Sequence, residues 1–138
     1  MKQFPKNIKF KKNHLISSNF FFESQKSKIL RGNYALKSKK SGKLTIKQIE
    51  ACRRSLRRNL KKTGNIWLRV FTYASITKKS IGSRMGSGKG AHSQWVCPIR
   101  KGQIICEIAA NSVYSSLKAL SRAKTKLPFK SAITKIIY

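Results

Sequence analysis

The sequence predicts an α+β fold: a two-layer sandwich in which two main helices pack on one side of a mixed or antiparallel sheet, preceded by a basic extended arm and interrupted by a Gly-rich loop. Three observations lead there. Apolar residues recur at helical spacing from Ile46 to Leu60 and again from Val113 to Leu120. Strand-like runs over residues 66–73, 94–108 and 129–137 alternate with those helices. A chain of 138 residues with 40% apolar composition suits one domain with a modest core. Residues 1–28 are therefore assigned to the arm and residues 29–138 to a single α+β domain.

The arm mixes Lys, Asn, Ser and Phe without a period of 3.6 or 2, and its Lys2, Lys6, Lys9, Lys11 and Lys12 can follow a phosphate backbone and order on contact. An organelle-targeting helix is the competing interpretation, but such segments favour Arg, and none precedes Arg31. Ile29, Leu30, Tyr34, Ala35 and Leu36 predict short strand pieces around Gly32, and residues 37–43 a turn. Thr45 with Gln48 fits a capping box, opening a helix whose Ile46, Ile49, Cys52, Leu56 and Leu60 share a face. Gly64 is expected to close that helix as a C′ glycine. Residues 66–73 predict a strand with Ile66, Leu68 and Val70 on one face and Trp67, Arg69, Phe71 and Tyr73 on the other; residues 74–82 are a basic connection. Residues 94–99 and 103–108 predict a hairpin turning at Lys101-Gly102, which would set Cys97 opposite Cys106 and put Pro98 at an edge or non-bonded position. Residues 112 to about 125 predict the second helix, with Val113, Leu117 and Leu120 inward and Pro128 beyond its end; residues 129–137 predict a last strand carrying Ile133, Ile136 and Ile137.

Charge narrows the partners. Against 32 Lys and Arg stand Glu23, Glu50 and Glu107, for a formal net charge of +29, so the cations require an external polyanion. On the first helix, Lys47, Arg53, Arg54, Arg57, Arg58, Lys61 and Lys62 sweep around the side opposite the apolar face and meet only Glu50. A solvated face is the ordinary account of such a stripe, but the near-absence of ion pairs favours one that faces nucleic acid. Ser83-Arg-Met-Gly-Ser-Gly-Lys-Gly90 is too glycine-rich for a helix or packed strand; it lets a phosphate or base approach the main chain while Arg84 and Lys89 neutralise charge. It is not a nucleotide-triphosphate cradle, because Ser83 stands where that motif requires Gly and Gly90 where it requires Ser or Thr.

Other chemistry finds little support. Cys52, Cys97 and Cys106 form no Cys-x-x-Cys pair, and His92, five positions before Cys97, adds no second close ligand, so no metal or cofactor is expected and the thiols are assigned to the core of a protein in a reducing compartment. A cross-strand Cys97–Cys106 disulfide is geometrically conceivable. No two carboxylates converge in sequence for acid–base catalysis, and no enzyme activity is expected. No apolar run approaches the roughly 20 residues of a spanning helix. A free DNA-binding regulator using the helix from Thr45, and a membrane-active cationic polypeptide, are the alternatives from other classes.

Thr45-Ile-Lys-Gln-Ile-Glu-Ala-Cys-Arg-Arg, Gly64-Asn-Ile-Trp-Leu-Arg-Val-Phe, Arg84-Met-Gly-Ser-Gly-Lys-Gly, Trp95-Val and Gly102-Gln-Ile-Ile-Cys-Glu follow one another with a family's spacing. With Lys9-Phe-Lys-Lys-Asn-His before them and Lys126-Leu-Pro-Phe-Lys after, the chain resembles the bacterial-type L-sixteen family of large-subunit ribosomal proteins. The resemblance implies a structural protein bound to large-subunit rRNA beside the peptidyl-transferase centre and the aminoacyl-tRNA site. It implies rRNA contacts from Lys9, Lys11, Lys12, His14, Lys47, Arg53, Arg54, Arg57, Arg58, Lys61 and Arg69, and a loop of Arg84, Met85, Gly86, Gly88, Lys89 and Gly90 reaching toward tRNA. Neighbouring ribosomal proteins are the other implied partners, with no membrane insertion and no homo-oligomer. Ser93-Gln94 and Ala109-Ala110-Asn111 depart from the family pattern, and residues 15–28 fit it poorly. The excess of Lys over Arg, the abundance of Ile, Asn, Phe and Ser, and a start without a presequence fit a gene translated inside an organelle, and Gly102-Gln-Ile resembles mitochondrial members of the family, which implies a mitochondrial ribosome in the matrix, with a plastid or an AT-rich bacterium as alternatives.

Overall fold

Two helices and seven strands follow one another in a computed structural model that describes residues 5, 6, 8–14, 28–61 and 63–136. They are β1 (Tyr34–Ser38), β2 (Gly42–Thr45), α1 (Ile46–Leu60), β3 (Gly64–Leu68), β4 (Ala74–Lys78), β5 (Ala91–Ile99), β6 (Ile104–Ala110), α2 (Val113–Lys124) and β7 (Ser131–Lys135). The expectations for Lys2, residues 15–27, Lys62 and Ile137 lie outside the described residues. The α+β class is as the sequence predicts, but the strands divide between two antiparallel sheets, ordered β3-β6-β1-β7 and β2-β5-β4.

Helix α1 starts where the capping box places it. The Thr45 N–H donates to Gln48 Oε1 at 3.0 Å and the Gln48 N–H to Thr45 Oγ1 at 3.3 Å, so two amides without helical acceptors are satisfied reciprocally. Its apolar face bridges two cores. Cys52, Leu56 and Leu60 pack with Leu36, Cys106, Ile108 and Leu120 between the helices and the four-stranded sheet, while Ile49 joins Leu44, Cys97, Ile99 and Ile105 under the three-stranded sheet. Each fully buried Leu or Ile contributes about 1.5–3 kcal/mol relative to exposure. Both helices thus cover one face of the four-stranded sheet, as expected.

Several boundaries differ from the sequence-based expectation, each for a local reason. Helix α1 ends on Lys61, left-handed at φ 45°, and the Thr63 N–H donates to Leu60 O at 2.8 Å. Gly64 instead opens β3, where a Cβ would come within 2.8 Å of Ala109 O, so its role is close strand approach rather than helix termination. β3 stops at Leu68; after Arg69 donates to Ile105 O at 2.9 Å the chain crosses to the other sheet, and residues assigned to a connection form β4. Part of the expected 37–43 turn is strand β2, and the pieces expected around Gly32 reduce to β1.

The Lys101-Gly102 turn does not close a hairpin. Gly102 N–H donates to Ser38 O at 2.8 Å and Ser38 N–H to Gln103 O at 2.9 Å, docking the turn on β1 and sending β5 and β6 into different sheets. Cys97 therefore lies opposite Leu44 and Cys106 opposite Leu36 and Leu68, and all three cysteines are free. Cys106 instead shares the core with Cys52 of α1; that neighbouring thiol and burial push its pKa well up. Pro98 pairs with Lys43 of β2, beyond Val96 where the β4 ladder begins, so it has a strand neighbour on one side. On α2 the inner face is Ser116, Ala119, Leu120 and Ala123, of which the small Ser116, Ala119 and Ala123 let the helix approach α1; Val113 and Leu117, expected inward, are exposed.

Behind the four-stranded sheet, Glu107 fixes the segment that leads into β1. Its carboxylate is fully buried and accepts from the N–H groups of Leu30 at 3.3 Å, Arg31 at 2.8 Å and Gly32 at 3.1 Å, and from the Arg69 guanidinium. Gly32 is required by proximity, since a Cβ there would sit 2.7 Å from Ile108 O. Burial alone would raise the Glu107 pKa, but the Arg31 amide, the Arg69 guanidinium and the Gly32 and Leu30 amides outweigh it and hold the carboxyl below its usual range. Because the folded value is the lower one, this contribution to stability is present above the unfolded carboxylate range and is lost as pH falls through the folded pKa. Glu107→Ala, which strands Arg69 without a buried counter-charge, is expected to lower the unfolding free energy at neutral pH by about 3–5 kcal/mol in urea titrations; a loss under about 1 kcal/mol would contradict the clamp.

Candidate nucleic-acid interface

The stripe on α1 is built by helical spacing. Lys47, Arg54, Arg57, Arg58 and Lys61 are exposed and Arg53 is half-buried. Glu50 sits among them: Arg53 donates to its carboxylate at 2.9 and 2.7 Å and Arg54 at 3.0 Å. The Arg53 hydrogen bond, with the Arg54 bond and the charge of both, outweighs partial burial and lowers the Glu50 pKa to about 2. One carboxylate is thereby shared between two guanidiniums, leaving the helix strongly positive. Arg122 of α2 donates to Asn59 Oδ1 at 2.9 Å, extending the cationic surface onto the second helix.

The arm and the glycine loop, separate in sequence, meet in space. Residues 79–90 cap the β4–β5 hairpin, since Lys78 pairs with Ala91. The loop turns on positive φ at Gly82 (80°), Gly86 (92°), Ser87 (54°) and Gly88 (76°), which no packed element would tolerate. Lys79 Nζ donates to Gly86 O at 2.6 Å and draws the loop back onto its stem. Ser75 Oγ, 2.7 Å from His92 Nδ1, donates to Lys11 O at 2.5 Å. Lys12 Nζ donates to Lys89 O at 3.0 Å, and Lys89 Nζ to Asn13 O. Neutral carbonyl acceptors orient these ammonium groups without cancelling their charge. Arg84 and Met85 are exposed, Met85 at 95%. Lys78, Lys79, Arg84 and Lys89 line a cavity of about 490 Å³ beneath the loop.

Of the remaining positions, Lys9, Lys11, Lys12 and His14 are exposed on the arm, and Gly86, Gly88 and Gly90 lie in the loop. Arg69 is half-buried: it is paired with Glu107 and also donates to Lys28 O at 3.3 Å, and it borders the same groove as Arg53 and Arg57 of the stripe. A second groove, also about 490 Å³, runs beside the edge strand β3 and is lined by Arg31, Arg53, Arg57, Trp67 and Arg69. Sequence inspection singled out neither Arg31, Lys78 nor Lys79. Lys78-Lys79 at the foot of a glycine loop was a visible signal, whereas the placement of Arg31 depends on the Glu107 clamp. Among the described residues, no group of three or more His, Cys, Asp or Glu could hold a metal ion, and no helix is long and apolar enough to cross a membrane.

Comparison with known proteins finds relatives of the whole chain. The family model described as Ribosomal protein L16p/L10e matches residues 5–134. The large ribosomal subunit protein uL16 of Phytoplasma australiense is 40% identical over 136 residues, covering 95% of this chain and 94% of the relative. The protein of the same name from Psychrobacter arcticus is 42% identical over 131 residues, covering 95% of each.

Glu50 gives the interface a measurable pH signature. Its folded pKa lies below the unfolded carboxylate value of about 4.3, so its stabilisation of α1 is present above that value and is lost toward a pH of about 2. Between pH ~5 and ~2 the melting temperature of the unaltered chain should therefore fall more than that of Glu50→Gln; parallel curves by circular dichroism would show that the Arg53 and Arg54 contacts contribute nothing.

Proposed function

The chain belongs to the ribosomal protein L16p/L10e family, and from that membership we propose that it binds large-subunit rRNA near the peptidyl-transferase centre and helps position tRNA at the aminoacyl site. It is a structural constituent of the large ribosomal subunit and not an enzyme. The observation that carries the finer proposal is the excess of cations over carboxylates along α1, where Glu50 alone meets the stripe among the described residues. The α1 stripe of Lys47, Arg53, Arg54, Arg57, Arg58 and Lys61 grips rRNA phosphates, and the docked arm of Lys9, Lys11, Lys12 and His14 extends that grip to the base of the loop. The loop then presents Arg84, Met85 and Lys89 beyond the folded body toward tRNA, with Gly86, Gly88 and Gly90 allowing close approach of a backbone. Neighbouring ribosomal proteins complete the set of partners.

The compartment belongs to the same proposal. The relatives named above are bacterial, so similarity supports a bacterial-type large subunit. Assignment to a mitochondrial ribosome rests on the excess of Lys over Arg and on the Gly102-Gln-Ile segment, and a plastid or AT-rich bacterial gene would share that composition.

Replacing Arg84 and Lys89 together by Ala should change unfolding free energy by no more than about 0.5 kcal/mol, as at exposed positions generally. Large subunits carrying the variant should assemble and sediment normally but accommodate aminoacyl-tRNA more slowly in single-turnover assays. Unchanged accommodation by fully loaded subunits would refute the loop's role in tRNA positioning.

A further inference from the structure

The groove beside β3 combines features that the cationic stripe alone does not have. Phosphate neutralisation needs only exposed Lys and Arg, yet here the positive lining surrounds an aromatic and aliphatic floor of Trp67, Ile66, Leu68 and Leu30. Its volume, about 490 Å³, falls within the ~300–1,000 Å³ typical of small-molecule clefts. The walls are held by elements already fixed for other reasons. Arg31 is positioned by its own N–H bond to Glu107 at 2.8 Å, Arg53 by Glu50, and Arg69 by Glu107. Trp67 stands opposite Glu107 in the β3–β6 register and is half-buried, so one part of the indole is packed and another is open to the groove.

Charge selects the occupant. Glu107 and Glu50 are the acidic groups beside these arginines, and both are engaged by Arg69 and by Arg53 and Arg54 respectively. Among the described residues neither Arg31 nor Arg57 has an acidic side chain within ion-pair distance. Two lining guanidiniums without an acidic partner among the described residues, beside an aromatic side chain, suit an anion joined to a flat π-system. A nucleotide has that composition: unstacked bases stack on aromatic side chains and guanidinium planes while their phosphates take charge-assisted bonds.

We propose that this groove receives a single unstacked nucleotide of the bound rRNA, its base against Trp67 and its phosphate between Arg31 and Arg57. The assignment rests on the rRNA-binding function proposed above and makes it more specific. The α1 stripe follows a duplex or folded backbone by charge alone, whereas the groove takes a bulged or looped-out residue and sets the register of the protein on the RNA.

The test uses the full chain with Trp95→Phe, which leaves Trp67 as its single tryptophan, titrated with protein-free bacterial large-subunit rRNA and, separately, with polyglutamate. Quenching of Trp67 emission by rRNA is expected. Trp67→Ala should weaken rRNA binding about tenfold while Trp67→Phe, which keeps a stacking face, stays within about threefold. Arg31→Ala with Arg57→Ala should weaken binding by about tenfold or more and reduce the salt slope by about two. Ultraviolet cross-linking of the unaltered chain in assembled subunits, mapped to Trp67 and one nucleotide, provides the same reading without substitutions. If rRNA binds while Trp67 emission, cross-linking and the arginine variant are all unaffected, the nucleotide pocket is wrong and the rRNA-binding function stands. If polyglutamate quenches Trp67 and rRNA does not, the groove takes an acidic protein segment instead. Absence of any rRNA binding would overturn both proposals together.

Discussion

Positive charge that the protein cannot neutralise internally is the constraint on which the rest depends. The formal net charge is +29, and the two carboxylates placed in the described domain are already committed: Glu107 to Arg69 and a set of backbone amides, Glu50 to Arg53 and Arg54. Each of these ion pairs organises structure. Glu107 anchors the chain entering β1, and Glu50 holds the first arginines of the α1 stripe in place. Three carboxylates cannot balance 32 cations, so self-repulsion opposes the compact state until a polyanion covers the excess.

The fold answers this by separating two kinds of surface. Its apolar residues form two linked cores joined through α1, with Ile49 in one and Leu56 and Leu60 in the other, so the helix that carries the cationic stripe is also the best-anchored element. The glycine loop is the reverse case. It buries almost nothing and turns on left-handed glycines, yet its base is tied to the arm through Lys12, Asn13 and Lys89. An anchored cationic helix face and an exposed cationic loop thus share one frame.

What was legible in the sequence was what short-range physics dictates. The Thr45–Gln48 cap, the 3.6-residue apolar period of α1, the second helix and the α+β class all follow from neighbours within about one or two turns. Long-range pairing was not legible. The Lys101-Gly102 turn has the residues of a hairpin, but hydrogen bonds to Ser38, more than sixty positions earlier by number, divert its strands into separate sheets. The inner face of α2 was misjudged for a related reason: closeness to α1 selects small Ser116, Ala119 and Ala123 over the larger Val113 and Leu117. For the candidate site, the stripe and loop were visible as composition and spacing. Arm-to-loop docking and the grouping of Arg31 with Trp67 exist only once Glu107 and β4 bring distant segments together.

The dependence of rRNA affinity on salt measures the central electrostatic premise most directly, because every cation that meets a phosphate releases a counterion. Titration of the folded chain with protein-free large-subunit rRNA between ~50 and ~200 mM salt should show affinity falling linearly on logarithmic axes by about 10³-fold or more, as for six to ten phosphate contacts. A fall of less than about tenfold over that range, with the chain folded and binding throughout, would mean that its excess charge is not what holds it to RNA.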